Sequence, residues 1–238
     1  MKKAIGLSLV FAGLLAVGAA LVPFGAQAQE APKIAIPQSG VPQIMTMEGK
    51  FVRAAYNNEG YVILGYQVVN RSIGEEWVLL EIGATARDGV EAFKLMRGDL
   101  SLEIPDGKTI PLPSDSDVRA ANLSALQNRT RVQRDSINYF PPSATRACRI
   151  GFFAELTSPV MAYDEVEISN TRACLGRLYF RVPGGITYGQ YWLNVKFPKS
   201  LVRVPFRVLT EAEEKTLSKN YKDISRQVKD AFAPPKKK

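Results

Sequence analysis

The feature that most constrains this chain is a near-repeat that sets its only two cysteines at the start of two alternating segments. The repeat is Thr145-Arg146-Ala147-Cys148 and Thr171-Arg172-Ala173-Cys174. After the first, Cys148, Ile150, Phe152, Ala154 and Leu156 fall on one parity, with Arg149 and Glu155 on the other. After the second, Cys174, Leu178, Phe180 and Val182 oppose Arg177, Tyr179 and Arg181. Side chains alternate across a strand, so this parity puts both thiols on the apolar, inward face. Two cysteines allow one pairing. The expected form is a cross-core disulfide between facing sheets, with residues 164–169 as an antiparallel strand between the two cysteine strands. Were all three in one sheet, the cysteines would lie two strand spacings apart, too far to bond. Two buried free thiols are the alternative, and the folding compartment decides between them.

The N-terminus bears on that compartment. Met1-Lys2-Lys3 is followed by an uncharged, mostly apolar run over residues 4–22 and by the small-x-small site Ala26-Gln27-Ala28. This pattern reads as a secretory signal peptide over residues 1–28, cut after Ala28, which makes the protein periplasmic or secreted. An uncleaved anchor is the alternative, but Pro23 and the cleavage site disfavour it. The formal charge of +8 includes Lys2, Lys3 and the tail lysines Lys236, Lys237 and Lys238, so the body of the chain carries less than half of it. That excess does not indicate a nucleic-acid protein, which needs a clustered basic face.

Residues 29–47 hold Pro32, Pro37 and Pro42 with little periodicity and read as an extended tether. From there, alternation predicts strands over residues 51–56, 61–69, Trp77–Ala86, 100–104, 109–112, 148–156, 164–169, 174–182, 188–197 and 202–208. Residues 61–69 are apolar on both faces, as a central strand requires, whereas Pro111 and Pro205 place their strands at sheet edges. Residues 114–136 break the alternation. Val118, Ala121, Ala125 and Leu126 sit at helical spacing behind Asp115 and Asp117, which predicts an inserted helix. The aromatic, proline-stiffened segment of residues 137–142 follows it. Residues 210–232 open on the capping box Thr210-Glu211-Ala212-Glu213 and carry the stripe Leu217, Tyr221, Ile224, Val228, the pattern of an amphipathic helix. Pro234 and Pro235 stop it, and residues 233–238 form a basic tail. The fold class is therefore all-β, an antiparallel sandwich with a helical insert and a C-terminal helix.

Two blocks resemble a known family. The run Gly176-Arg177-Leu178-Tyr179-Phe180-Arg181-Val182-Pro183, a turn and two long alternating strands are similar to the second half of immunoglobulin-like β-sandwich domains of exported bacterial proteins. Residues 61–71 followed by Trp77–Ala86 resemble their first half. The resemblance spans about residues 50–209 and implies a sandwich of two antiparallel sheets. The chain departs from antibody-type domains in its short cysteine spacing and in having no tryptophan between the cysteines, so no functional residue transfers.

Candidate chemistry is sparse. The chain has no histidine, which removes the commonest general base, the usual zinc ligand and the Ser-His or Cys-His nucleophile pair. No catalytic, metal or cofactor-binding set is expected. Asp164, Glu165 and Glu167 are the acids best grouped for a carbohydrate-active enzyme using two carboxylates, and a solvated strand face is the alternative. Arg119, Arg129, Arg131, Arg134, Arg146, Arg149, Arg172, Arg177 and Arg181 fill a span without lysine. Their choice lies between an anionic partner and pairing with nearby acids. Exposed aromatic or apolar groups at Tyr139, Phe140, Trp192, Tyr221, Ile224 and Val228 are candidate partner contacts. Trp192 has the alternative of burial beneath the C-terminal helix, and the helix that of packing in cis. The resulting expectation is a non-enzymatic interaction or structural module of the bacterial envelope. Its partner is another envelope protein or a glycan, with Lys236, Lys237 and Lys238 able to touch anionic lipid.

Overall fold

The computed structural model describes residues 43–133, 136–154 and 161–232. The expected leader, most of the expected tether and the lysine tail lie outside them. The elements in order are β1 Ile44–Gly49, β2 Val52–Tyr56, β3 Gly60–Gly65, β4 Trp77–Ala86, β5 Phe93–Met96, β6 Leu100–Glu103 and β7 Thr109–Pro111. Then come α1 Asp115–Ala120, α2 Ser124–Val132, β8 Arg146–Ile150, β9 Glu165–Ile168, β10 Arg172–Arg181, β11 Gly189–Lys196, β12 Leu201–Val208 and α3 Glu211–Ala231. They form a six-stranded sheet in the order β1-β2-β3-β4-β10-β8, a four-stranded sheet β12-β11-β6-β7 and a two-stranded sheet β5-β9.

The alternation seen in the sequence builds one core. Val62 and Leu64 of β3, Val78, Leu80 and Ile82 of β4, and Leu178 and Phe180 of β10 project from one face of the large sheet. They meet Tyr191, Leu193 and Val195 of β11 and Val202, Val204 and Phe206 of β12 in a single buried cluster. Each such side chain contributes about 1.5–3 kcal/mol of apolar burial. Through its centre, Phe206 stacks on Tyr191 at a centroid distance of 5.3 Å and meets the tilted ring of Tyr66 at 5.1 Å. Gly60 is required here. A Cβ on it would fall 2.1 Å from Cζ of Phe197, so the glycine admits that ring to the core. Both proline-bearing strands, β7 and β12, stand at the edges of the four-stranded sheet as their missing donors demand.

The cysteines are bonded, but not as a cross-core link. β8 and β10 are adjacent, parallel strands of the same sheet, with Cys148 directly opposite Cys174 and their Cα atoms 4.1 Å apart. Residues 165–168 do not run between them. They pair with β5, a strand the sequence pattern missed, and the carbonyl of Glu167 lies against both sulfurs at 3.9 and 3.8 Å. Cys174 is fully buried, whereas Cys148 is half-exposed, because β8 is the sheet edge. Gly176 permits this neighbour. A Cβ there would sit 2.4 Å from the carbonyl oxygen of Ile150. The first cysteine strand ends at Ile150, short of the expected residue 156, and residues 155–160 lie outside the described residues.

Other boundaries also move. The tether is expected to run to Met47, but the chain is already in β1 at Ile44. The insert is two helices. Ser114 caps α1 in a capping box with Asp117, and Asn122 at φ 48° turns the chain before α2. Val118 and Leu126 are buried as the spacing implies, but Ala125 is exposed and Leu123 takes its place. In α3, Thr210 and Glu213 form the expected capping box. The helix packs in cis along β1, where the Tyr221 hydroxyl and Ser225 Oγ donate to the carbonyl of Met47 at 3.2 and 3.3 Å. Val228 and Phe232 are buried as well as Leu217. The sequence predicts a helix end that projects more freely beyond Val228; instead, the apolar stripe stays in the core to Phe232.

Candidate functional site

The outward face of the large sheet carries Val52, Ala54 and Ile63 and, towards β10, Leu79, Glu81, Gly83, Leu175, Arg177 and Tyr179. Two structures cover it. Residues 136–142 cross it as a strap in which Ile137 and Phe140 pack on the small cluster of Val52, Ala54 and Ile63. Glycines make room for them: a Cβ on Gly65 would fall 2.8 Å from Ile137 Cγ2, and one on Gly83 2.9 Å from Phe140 Cζ. The helical insert covers the β10 end. Gln127 of α2 donates to the Tyr179 hydroxyl at 2.8 Å, and Phe153 meets the Tyr179 ring edge-on at 5.2 Å.

Between strap and insert lies a cleft of about 440 Å³. Leu175, Gly176 and Arg177 of β10, Glu81 of β4 and Arg149 and Ile150 of β8 line it from the sheet. Gln127, Ile137, Asn138 and Phe153 line it from above. Its Phe153 wall is fixed by Arg97. That guanidinium sits 4.9 Å over the Phe153 ring, donates to the carbonyls of Pro113 and Phe152, and pairs with Asp164 at 2.9 Å. Ala154 donates its N–H to Asp115 of α1 at 2.8 Å, which ties the wall to the insert. The disulfide sits one residue from the Arg149 and Leu175 pair that lines the cleft, so it clamps the two strands of the floor.

Four of the nine arginines in that span are spent on internal pairs. Arg119 bonds Asp115, Arg129 holds Glu75 with both carboxylate oxygens at 2.7 Å, Arg172 meets Glu167 and Arg181 meets Glu76. Arg177 differs in its burial: the side chains of Arg131, Arg146 and Arg177 have no hydrogen-bond or ion-pair partner among the described residues, but the first two are exposed, whereas Arg177 is half-buried in the cleft. Its cross-strand neighbour is Glu81, but that carboxylate turns the other way. Its Oε2 lies 3.7 Å from where a Cβ on Gly65 would be, on the far side of β4. Arg134 lies outside the described residues.

The expected partner contacts do not come together. Tyr139 is exposed on the strap, while Phe140 beside it faces the sheet. Trp192 is buried, opposite Pro205, with the Arg203 guanidinium 5.0 Å over its ring and Glu103 pairing that arginine at 2.5 Å. Its cover is thus Arg203, not the C-terminal helix. Tyr221, Ile224 and Val228 pack inward from α3. The acidic trio is exposed and divided among three cations: Asp164 on Arg97, Glu165 on Lys94, Glu167 on Arg172. No group of three or more metal-ligating side chains occurs among the described residues, and none of their helices is long and apolar enough to cross a membrane. Sequence reasoning singled out Arg149 and Arg177 but missed Glu81, Gln127, Ile150, Phe153 and Leu175. A glycine inside an alternating strand, Gly176, was the available signal of close approach. No protein-family model, curated protein or solved structure matches the chain.

Proposed function

We propose that this chain is an exported, non-enzymatic binding module of the bacterial envelope, built on an immunoglobulin-like sandwich and using the cleft on the outer face of its large sheet. The observation that carries the reading is the cleft itself: about 440 Å³, with apolar walls and convergent polar groups, the usual make-up of a small-ligand site. The disulfide supports export, since such bonds persist in oxidising compartments. The division of Asp164, Glu165 and Glu167 among three cations speaks against the glycoside-hydrolase alternative, which needs two carboxylates facing one bond.

The test uses a Leu175→Trp variant, which fills the cleft from an exposed floor position. Ligand-observed NMR on a low-molecular-weight envelope extract is expected to show compounds that bind the wild type and are lost in the variant. Compounds that bind both equally would refute the cleft as the site. Turnover of a bound compound by the wild type would refute the non-enzymatic assignment.

A further inference from the structure

Arg177 is the group whose surroundings are incomplete. A guanidinium offers five donors in a planar fork and stays charged at any physiological pH. Half-burial strips it of part of its water, so it gains from an acceptor. The cross-strand acid that would ordinarily supply one, Glu81, points away over Gly65. Around Arg177 the cleft presents Leu175, Ile150, Phe153 and Ile137 as apolar surface, with Gln127 and Asn138 as amide groups.

From this we infer that the cleft takes a small organic carboxylate carried on an apolar body, with Arg177 gripping the carboxylate through two parallel N–H···O bonds. The inference rests on the reading of the cleft as a binding site. A carboxylate suits the site because the planar fork matches its two oxygens, and the apolar walls give the remainder of an organic ligand a place out of water.

The probe is N-acetyl-phenylalanine against its C-terminal amide, which differs only in the charged group. Calorimetric titrations use the wild type, Arg177→Met and Leu175→Trp, each first shown to fold by circular dichroism. The acid is expected to bind the wild type at least about tenfold more tightly than the amide, the size of one charge-assisted hydrogen-bond pair. Arg177→Met is expected to weaken the acid at least about tenfold and so abolish that preference, and Leu175→Trp to abolish binding of both. Equal binding of acid and amide, still blocked by Leu175→Trp, would overturn the carboxylate assignment and keep the cleft as a site. No binding of either probe to the wild type would also overturn the assignment. Binding of the acid unaffected by Leu175→Trp would overturn both the assignment and the cleft.

Discussion

Removing the Cys148–Cys174 bond should cost this protein much of its stability and should do so locally. The perturbation is the double substitution Cys148→Ala and Cys174→Ala. The bond closes a loop of sequence separation 26. Loop-closure entropy for that length amounts to about 3.5 kcal/mol at 25 °C, through the larger freedom of the uncrosslinked unfolded chain. For a domain of this size each kcal/mol moves the melting temperature by about 2–4 °C, so the variant should melt about 7–14 °C lower. The structure adds where the loss appears. β8 is an edge strand, paired on one side only, over Arg146–Ile150. Without the crosslink it should be the first element to open, ahead of β11, which is paired on both sides. Calorimetry gives the first quantity and native-state amide exchange the second. A melting shift under about 2 °C would refute the entropic account. Exchange at residues 146–150 that rises no more than at residues 189–196 would refute the placement of β8.

Further outcomes follow from packing and capping. Gly60→Ala should destabilise by about 1–3 kcal/mol in urea unfolding, because its Cβ would fall 2.1 Å from the Phe197 ring; an unchanged midpoint would contradict the close approach. Thr210→Ala should cost about 1 kcal/mol through loss of the α3 cap, and unchanged stability would show that the cap is idle. Burial raises the Glu213 carboxyl pKa, but the Thr210 N–H and Arg207 outweigh it and hold it below its ordinary 4.5. A depressed acid stabilises the fold above its unfolded pKa and loses that contribution as pH falls through the folded one. The stability gap between wild type and Glu213→Gln should therefore be full at pH 7 and shrink below pH 4.5, as denaturant midpoints across that range will show; a constant gap would reject the mechanism. Amide exchange along α3 should be as slow near Val228 as near Leu217, since both side chains are buried; fast exchange confined to the C-terminal half would restore a projecting helix end.

Much of the scaffold is legible in the residues. Alternation locates Trp77–Ala86 and the strands of residues 189–196 and 201–208 within a residue or so, and the prolines at 111 and 205 identify edge strands. Parity, however, says which face a residue takes, not which strand is its neighbour. Nothing in the alternation around Cys148 distinguishes a parallel partner in the same sheet from a facing partner across the core. The bond was therefore legible and its geometry was not. Gly176 held that information, but reading it requires Ile150 to be beside it. Phe93–Met96 has three apolar residues in four, so no clean alternation marks it. The cleft escaped for a related reason. Its floor joins β4, β8 and β10, which are distant in sequence, and its roof comes from the insert and the strap. Counting arginines against acids could not reveal that Glu81 turns away from Arg177, because that depends on the space left by Gly65 on a third strand.

The most direct test of the cleft as the working site is methyl-labelled NMR of the protein with N-acetyl-phenylalanine or any compound recovered by Leu175-dependent binding. Binding should move the methyl resonances of Ile137, Ile150 and Leu175, which line the cleft, and leave those of Val195 and Val204, in the core of the opposite sheet, in place. Shifts centred on the four-stranded sheet or on α3, with Ile137, Ile150 and Leu175 unmoved, would contradict the account.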